Sequence, residues 1–231
     1  MNQDDMKRAV ARAALAEIVP GAVLGVGTGS TVNFLIEMLA DRRHEIPGAV
    51  SSSVTSTERL QAIGIPVLEL NDVDSIPVYI DGADEVTPEG FMTKGGGGAL
   101  TREKIIASAS DRFVCIVDES KLVQRLGAFP IPVEIIPMAV APVRKRLIAL
   151  GGDPTLRAGV VTDNGNHILD VHGLQLETPV AYEQAVSVIP GVVTCGVFAL
   201  TPSHFILKGA PSGTQPITPG KNRHEVTLND H

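Results

Sequence analysis

The chain has 231 residues, of which 44% are hydrophobic and 19% charged, and its formal net charge is −7. That length is sufficient for one large domain, or for a main domain with a smaller companion. The acidic balance, with no Lys/Arg-rich block, argues against non-specific nucleic-acid binding. The aromatic content of 3%, with no tryptophan, leaves few side chains to stack on bases or flat cofactors.

The N-terminal segment and the cysteines bear on the compartment. Residues 1–8 are polar and acidic, unlike the apolar core of a signal peptide, and no apolar stretch is long enough to span a bilayer. Cys115 and Cys195 have no Cys-x-x-Cys pattern and no His at metal-ligand spacing, so we interpret both as buried apolar residues in a reducing compartment. We expect a cytoplasmic protein with no metal, no membrane partner and no nucleic-acid partner.

The first half of the chain alternates predicted helices and strands. Helical spacing over residues 4–18 ends at Pro20-Gly21 and precedes a short apolar strand at 22–26. The pattern then predicts helices at 31–40, 56–63 and 101–110, and strands at 49–54, 66–70, 77–80 and 113–117. Such alternation predicts an α/β fold with a mostly parallel, Rossmann-like sheet and helices on both faces.

The pattern changes near Gly127. Predicted strand 131–136, helix 142–150, extended segment 155–161, strand 168–171, helix 180–188 and strand 192–199 follow one another, with a turn at Asn164-Gly165. The order β-α-β-β-α-β predicts a smaller, ferredoxin-like α+β domain at 128–200. A strand at 205–208 could return to the main sheet, so we assign 1–127 and 201–209 to the main domain. From Ala210 onward, Pro, Gly, Asn and charged residues predict a loosely ordered tail, 210–231.

The first of three glycine-containing loops reads Gly25-Val-Gly-Thr-Gly-Ser-Thr31. A dinucleotide fingerprint would need another glycine further into the helix and an acidic residue at the end of the next strand. Here Ser30 and Thr31 follow Gly29, and the next strand ends in serines. Hydroxyls beside a helix N-terminus favour one terminal phosphate. The alternative is an ordinary strand–helix turn with Ser30 or Thr31 as N-cap.

The second loop, Asp81-Gly-Ala-Asp-Glu85, carries two carboxylates away from a strand end. Gly82 permits a sharp turn, so that Asp81 and Asp84 can face one cleft, bind sugar hydroxyls and share a proton. A hard cation would need more oxygen ligands than this motif supplies. A solvated acidic turn is the structural alternative.

The third loop begins at Lys94, which precedes four glycines, Gly95 to Gly98. Such a run is costly to order, and it is understandable where backbone approaches a ligand closely. Thr101 is predicted as a helix N-cap, which places Glu103 in the first turn, where the helix dipole favours the ionised form of a base. Alternatively, Glu103 only stabilises the helix end. Lys121, just past a strand end, is either a site residue or a surface lysine.

Several segments carry a resemblance to a known family. They are Gly25–Thr31, Tyr79-Ile-Asp-Gly-Ala-Asp-Glu85, Lys94-Gly-Gly-Gly, Leu100-Thr-Arg-Glu-Lys104 and Gly159-Val-Val-Thr-Asp-Asn-Gly-Asn166. In this order they resemble type A ribose-5-phosphate isomerase, and the likeness runs from about residue 1 to residue 200. The tail after Gly209 matches no feature of the family.

The resemblance implies reversible conversion of ribose 5-phosphate to ribulose 5-phosphate without a metal or organic cofactor. It assigns Glu103 as the base that moves a proton between C2 and C1 through a cis-enediolate. It implies that Asp81 and Asp84 take part in ring opening and in proton transfer to and from the sugar hydroxyls. It also implies that Lys94 helps to neutralise the developing charge of the oxyanion. The substrate-binding residues would be Thr28, Gly29, Ser30, Thr31, Asp81, Gly82, Ala83, Asp84, Lys94, Gly95, Gly96, Gly97 and Lys121. We further expect a homodimer acting on a small-molecule pentose phosphate.

Two other functions fit the same kind of fold. Related α/β folds use a glutamate as nucleophile in coenzyme A transfer, but that reaction needs contacts for a long thioester carrier, and no such element is visible. A sugar-phosphate sensor would bind without turnover. Sensors of this kind are usually fused to a helix-turn-helix, for which no residues remain, and a pure sensor has no use for Glu103 beside two aspartates.

Overall fold

The computed structural model describes residues 2–220. Its helices are α1 (Gln3–Ala14), α2 (Ser30–Leu39), α3 (Val54–Ala62), α4 (Leu100–Ser108), α5 (Val140–Ala149) and α6 (Pro179–Ser187). Its strands are β1 (Leu24–Val26), β2 (Ala49–Ser51), β3 (Val78–Asp81), β4 (Glu85–Val86), β5 (Met92–Thr93), β6 (Phe113–Asp118), β7 (Ile131–Ile135), β8 (Asp153–Leu156), β9 (His167–His172), β10 (Val192–Cys195), β11 (Val197–Phe198), β12 (Phe205–Ala210) and β13 (Gly213–Ile217).

The main sheet has six strands in the order β13-β12-β6-β3-β1-β2. All its pairs are parallel except β12 with β13, which is antiparallel. The chain builds outward from β1 in both directions, to β2 on one side and to β3 on the other. Loops that leave the carboxyl ends of β1 and β3 therefore meet at the point where the strand order reverses, which is where open α/β sheets bind ligands.

Both faces of the main sheet are buried. Successive side chains along a strand point to opposite faces, so the apolar strands of a parallel sheet need packing partners on both sides. One face packs Val26, Ile80 and Ile116 against helices α1, α2 and α3. The other packs Tyr79, Phe113 and Cys115 against α4 and the short strands β5 and β11. The predicted mostly parallel sheet with helices on both faces is confirmed. Cys115 and Cys195 are both free and fully buried, as predicted.

The smaller unit is a four-stranded antiparallel sheet in the order β10-β7-β9-β8, packed against α5 and α6. Its chain order is the predicted β-α-β-β-α-β. A three-stranded sheet, β11-β5-β4, then joins the smaller unit to the main one. The exact limits of the two domains stay a prediction. No helix among residues 2–220 is long and apolar enough to cross a membrane.

Several predicted segments differ in the structure. The extended segment predicted at 155–161 is a strand only as far as Leu156, and the strand predicted at 192–199 is divided into β10 and β11, which belong to different sheets. Residues 66–70 are not a strand, since one parallel bridge joins Val67 to Ala49 and a 3-10 helix begins at Leu70. The three-residue strand β2 offers too little edge for a longer ladder.

The loosely ordered tail predicted from Ala210 is wrong for β13, which pairs with β12 from Gly213 to Ile217. Gly213 has φ +113°, which a tight turn needs, and the lack of an N–H at Pro216 is tolerated on the last strand of the sheet. The rest of the predicted tail, 221–231, lies outside the described residues.

Candidate active site

The three glycine-containing loops converge on one cavity of about 240 Å³ at the carboxyl ends of β1, β3 and β6. The backbone N–H of Gly27 donates to the carbonyl of Ile80 at 2.9 Å, which fixes the first loop against the second. Every predicted site residue except Asp81 lines this cavity: Thr28, Gly29, Ser30, Thr31, Gly82, Ala83, Asp84, Lys94, Gly95, Gly96, Gly97, Glu103 and Lys121.

Asp81 lies directly beneath the cavity and is fully buried. Its Oδ1 accepts from the backbone N–H groups of Thr28 at 3.0 Å and Gly82 at 2.7 Å, and its Oδ2 accepts from the hydroxyl of Tyr79. A Cβ at residue 27 would lie 1.9 Å from Asp81 Cγ, so only glycine fits there. The carboxylate is thus held rigidly between the first two loops.

Lys94 is the central cation of the site, and its side chain is 3% exposed. The Nζ atom lies 2.7 Å from Asp81 Oδ2 and 3.5 Å from Glu103 Oε1, and donates to the carbonyl of Gly82 at 2.5 Å. Burial lowers the pKa of Lys94, but the attraction of Asp81 and Glu103 outweighs it, so the pKa is raised. The amine therefore stays charged.

Glu103 comes from the first turn of α4 and is 3% exposed. Burial raises the pKa of its carboxyl to about 8, with repulsion from Asp81 and Asp84 adding to the effect and Lys94 opposing it. Lys94 offsets this rise only in part, because its ammonium faces two buried carboxyl groups and lies closer to Asp81 than to Glu103. Glu103 Oε2 is buried and has no hydrogen-bond partner among the described residues. Glu103 lines the cavity, so its carboxyl group lies next to any molecule bound there.

Asp84 lies against the glycine run, Gly95 to Gly98. Its Oδ2 accepts from the backbone N–H of Gly96 at 2.8 Å. Burial raises the pKa of Asp84. The hydrogen bond from Gly96 and the charges of Lys94 and Lys121 lower it in part, and the net shift is upward. A Cβ on residue 96 would lie 2.6 Å from Asp84 Oδ1. Close approach of the backbone to a carboxylate thus explains the glycine at position 96.

The N-terminus of α2 opens toward the same cavity. The N-cap is Gly29, with φ +101°, and no side chain caps the helix, so neither Ser30 nor Thr31 is the N-cap. The first-turn N–H groups and the hydroxyls of Ser30 and Thr31 are suited to bind an anion.

Thr101 is also not the predicted N-cap. It is the second residue of α4, whose N-cap is Ala99, and its hydroxyl donates to Glu134. Glu103 nevertheless lies in the first turn, as predicted.

Four further residues line the cavity that the predicted site did not include: Gln3, Lys7, Val117 and Asp118. Gln3 and Lys7 lie on α1, far in sequence from the loops, and Gln3 Nε2 donates to Asp118 Oδ2 at 3.3 Å. The only local signal was the position of Asp118 at the end of β6, beside the predicted Lys121. Among residues 2–220, no group of three or more His, Cys, Asp and Glu side chains is arranged to hold a metal ion.

Comparison with known proteins gives the family. The sequence model described as ribose 5-phosphate isomerase A (phosphoriboisomerase A) matches residues 48–212. The chain belongs to this family. It is 56% identical to the ribose-5-phosphate isomerase A of Polaromonas sp., over 93% of this chain and 93% of that protein. The predicted resemblance and the predicted enzyme class, an isomerase, are confirmed.

Solved structures agree with the fold. The crystal structure of ribose 5 phosphate isomerase A from Neisseria gonorrhoeae superimposes with a TM-score of 0.93 at 47% identity, covering 95% of this chain and 99% of that one. A D-ribose-5-phosphate isomerase in complex with phospho-erythronic acid gives a TM-score of 0.91 at 36% identity, covering 94% and 100%.

Proposed function

We propose that the protein interconverts ribose 5-phosphate and ribulose 5-phosphate through a cis-enediolate, with Glu103 as the base. The observation that carries the proposal is the Lys94 cluster. A buried ammonium lies between Asp81 and Glu103, and the second oxygen of Glu103 has no protein partner. An enediolate requires this pairing of a proton acceptor with a fixed positive charge.

The proton transfer needs only one carboxylate. In the open-chain aldose, ionised Glu103 takes the proton from C2, and the C1 carbonyl becomes an enediolate oxygen. The proton of the O2 hydroxyl passes to O1, which becomes the C1 hydroxyl, and the same carboxyl returns its proton to C1 as the C2–O2 bond becomes the ketone. A pKa of about 8 suits this double role, because the group both accepts and donates near neutral pH.

The neighbouring charges would support the other steps. Lys94 would stabilise the negative charge that develops on the enediolate oxygens, and it remains charged because Asp81 holds it at 2.7 Å. Asp84, whose pKa burial raises, would exchange protons with the sugar hydroxyls during ring opening. Asp81 lies beneath the cavity, so we assign it to orienting Lys94 and the first loop in addition to the predicted proton transfer.

The phosphate would bind at the N-terminus of α2. The uncapped N–H groups after Gly29, the hydroxyls of Ser30 and Thr31, and the ammonium groups of Lys7 and Lys121 all border the cavity. Together they supply the donors and positive charge that a phosphate dianion needs. The relative that binds phospho-erythronic acid supports a phosphorylated sugar chain as the ligand class.

The test is a direct assay in deuterated water. The purified protein, treated with a chelator, is incubated with ribose 5-phosphate, and the products are followed by NMR. We expect ribulose 5-phosphate, with deuterium at C1 to the extent that the protonated Glu103 exchanges with solvent before it returns the proton. Binding without conversion would favour the sensor function, and turnover that requires an added divalent ion would contradict a cofactor-free mechanism.

A further inference from the structure

Arg157 contacts the glycine run from outside the cavity, and no step proposed above uses it. Its Nε donates to Asp170 Oδ2 at 2.8 Å and its Nη2 to Asp170 Oδ1 at 2.5 Å. The remaining Nη1 donates to the carbonyl oxygens of Gly95 and Gly96, each at 3.1 Å. The two side chains are 17% and 19% exposed, so the pair is largely protected from solvent.

The Arg157 pair is anchored in regular structure. Asp170 lies on β9, and the backbone N–H of Arg157 donates to the carbonyl of Ile168 at 2.9 Å, just beyond β8. Both residues thus belong to the β8–β9 hairpin of the smaller unit. A bidentate Arg–carboxylate contact fixes the plane of the guanidinium, so that Nη1 points in one direction.

The glycine run needs such an anchor. Four consecutive glycines lose more backbone entropy on ordering than any other sequence would. Gly95 and Gly98 have φ of +104° and +84°, and the N–H of Gly96 must point at Asp84. Arg157 fixes the carbonyls on either side of that N–H, since the C=O of Gly95 and the N–H of Gly96 belong to the same peptide plane.

We propose that Arg157 is a positioning residue for the reaction. It holds the peptide between Gly95 and Gly96 in the orientation that donates to Asp84, and thereby sets the geometry of Asp84 at the reacting end of the site. Asp170 acts with it by orienting the guanidinium. The proposal rests on the proposed function for its kinetic consequence, but its structural consequence, ordering of the glycine run, is independent of that function.

The test compares Arg157→Met and Arg157→Lys with a matched control, Arg125→Met. Arg125 also pairs with a carboxylate, Glu177, at 2.8 Å, but the two side chains are 48% and 72% exposed. We expect both Arg157 variants to lower kcat on the order of 10- to 100-fold, which corresponds to the loss of charge-assisted hydrogen bonds. Lysine does not rescue, because one ammonium cannot bind Asp170 bidentately and also reach two carbonyls. The control should remain within about twofold of wild type.

Two further readouts separate positioning from general damage. The inhibition constant of inorganic phosphate should be unchanged, because the phosphate end of the site does not contact Arg157. Amide hydrogen exchange over residues 95–98 should accelerate in Arg157→Met, and this measurement needs no catalysis. If Arg157→Met does not fold, Asp170→Asn takes its place. This variant should show a smaller loss of kcat, a smaller acceleration of exchange over residues 95–98 and an unchanged inhibition constant of phosphate.

The Arg157 proposal is overturned by wild-type kcat together with unchanged exchange of the glycine run, or by equal losses in kcat and phosphate affinity. If the wild-type protein does not isomerise ribose 5-phosphate, the proposed function fails. Hydrogen exchange alone then decides whether Arg157 orders the run.

Discussion

Glu103 differs from a glutamate that only stabilises a helix end. A dipole-stabilising carboxylate is normally solvated and ionised. Glu103 is buried, carries a raised pKa and leaves one oxygen without a partner. Those features cost stability, and they are understandable if the group must exchange a proton with substrate.

Replacing Glu103 with Gln tests this residue directly. The amide keeps the shape of the side chain but accepts no proton near neutral pH, so kcat should fall by about 10²- to 10⁴-fold. Steady-state kinetics with ribose 5-phosphate measure the change. Glu177→Gln is the control, because Glu177 is 72% exposed and remote from the cavity. A Glu103→Gln variant with near-wild-type kcat would remove Glu103 as the base and leave Asp84 as the next candidate.

At the level of single residues, the sequence indicated which chemical groups form the candidate site better than it indicated where each group lies. Asp81, Asp84, Lys94 and Glu103 were candidates because carboxylates and a lysine stand beside glycines at strand ends. The family resemblance, and not the loops alone, favoured a site over the structural alternatives. The burial of Asp81 below the cavity was not predictable, since it depends on Gly27 and Tyr79 packing around it.

At the level of elements, the main strands were predictable and several short ones were not. Strands β1, β3 and β6 are apolar runs that end in polar loops, which is a strong local signal. Strands β4, β5 and β11 have two residues each, too few to show any periodicity. Strand β13 has a loop-like composition, and only its pairing with β12 makes it a strand.

The contribution of α1 to the site also lay beyond local patterns. Its amphipathic sequence predicts a helix, but not which loops lie near its N-terminal turns. Contacts of α1 with β6 and β12 bring Gln3 and Lys7 to the cavity. A Cβ on Gly209 would lie 2.6 Å from the carbonyl of Met6, so glycine in β12 allows α1 to approach closely.

Another element-scale feature is the turn at Thr162–Asn166, which is tied to α4 through a buried carboxylate. Glu134 is fully buried on β7 and accepts from the side chains of Thr101, Thr162, Asn164 and Asn166. Thr101 lies two residues before Glu103. The network thus joins the segment that carries the base to the sheet of the smaller unit.

We expect Glu134→Met to lower the free energy of unfolding by about 3 kcal/mol or more, because it leaves several buried donors without an acceptor. Glu134→Gln keeps one acceptor oxygen and should cost less. Urea unfolding of both variants measures the difference. Glu177→Met, at an exposed glutamate, should change the stability by no more than about 0.5 kcal/mol. Equal stability of the wild type and Glu134→Met would show that the network makes no net contribution to the free energy of unfolding.

At the scale of the whole molecule, the net charge does not describe the cavity. The chain carries a formal net charge of −7, whereas the cavity lining brings Lys7, Lys94 and Lys121 together with the carboxyl groups of Asp84, Glu103 and Asp118. Net charge argues against non-specific nucleic-acid binding, but it gives no information about an anionic small molecule. Such a ligand responds to the field inside a cleft, where the positions of individual ammonium, N–H and carboxyl groups matter more than the total charge of the protein.

The raised pKa of Glu103 makes the stability of the whole molecule depend on pH. In the unfolded chain this carboxyl titrates near its ordinary value of 4.5, whereas in the folded protein it titrates at about 8. Between these values the folded state holds a proton that the unfolded state has released. The free energy of unfolding contributed by Glu103 therefore falls as pH rises through this window, by at most about 1.4 kcal/mol per pH unit. Below the window both states are protonated, and above it both are ionised.

Glu103→Gln removes this titration, so the variant should become progressively more stable than the wild type between pH 5 and pH 8. Urea unfolding of both proteins at pH 5, 6, 7 and 8 measures the difference, in which the titrations of all other groups cancel to first order. A carboxylate that merely stabilised the helix end would give the opposite sign, with the variant less stable by about 0.3–1 kcal/mol at neutral pH. A difference that does not change with pH would mean that Glu103 is already ionised in the folded protein. The buried cluster would then hold two carboxylates against one ammonium, and Glu103 would begin the reaction as the ionised base and return to C1 the proton that it had taken from C2.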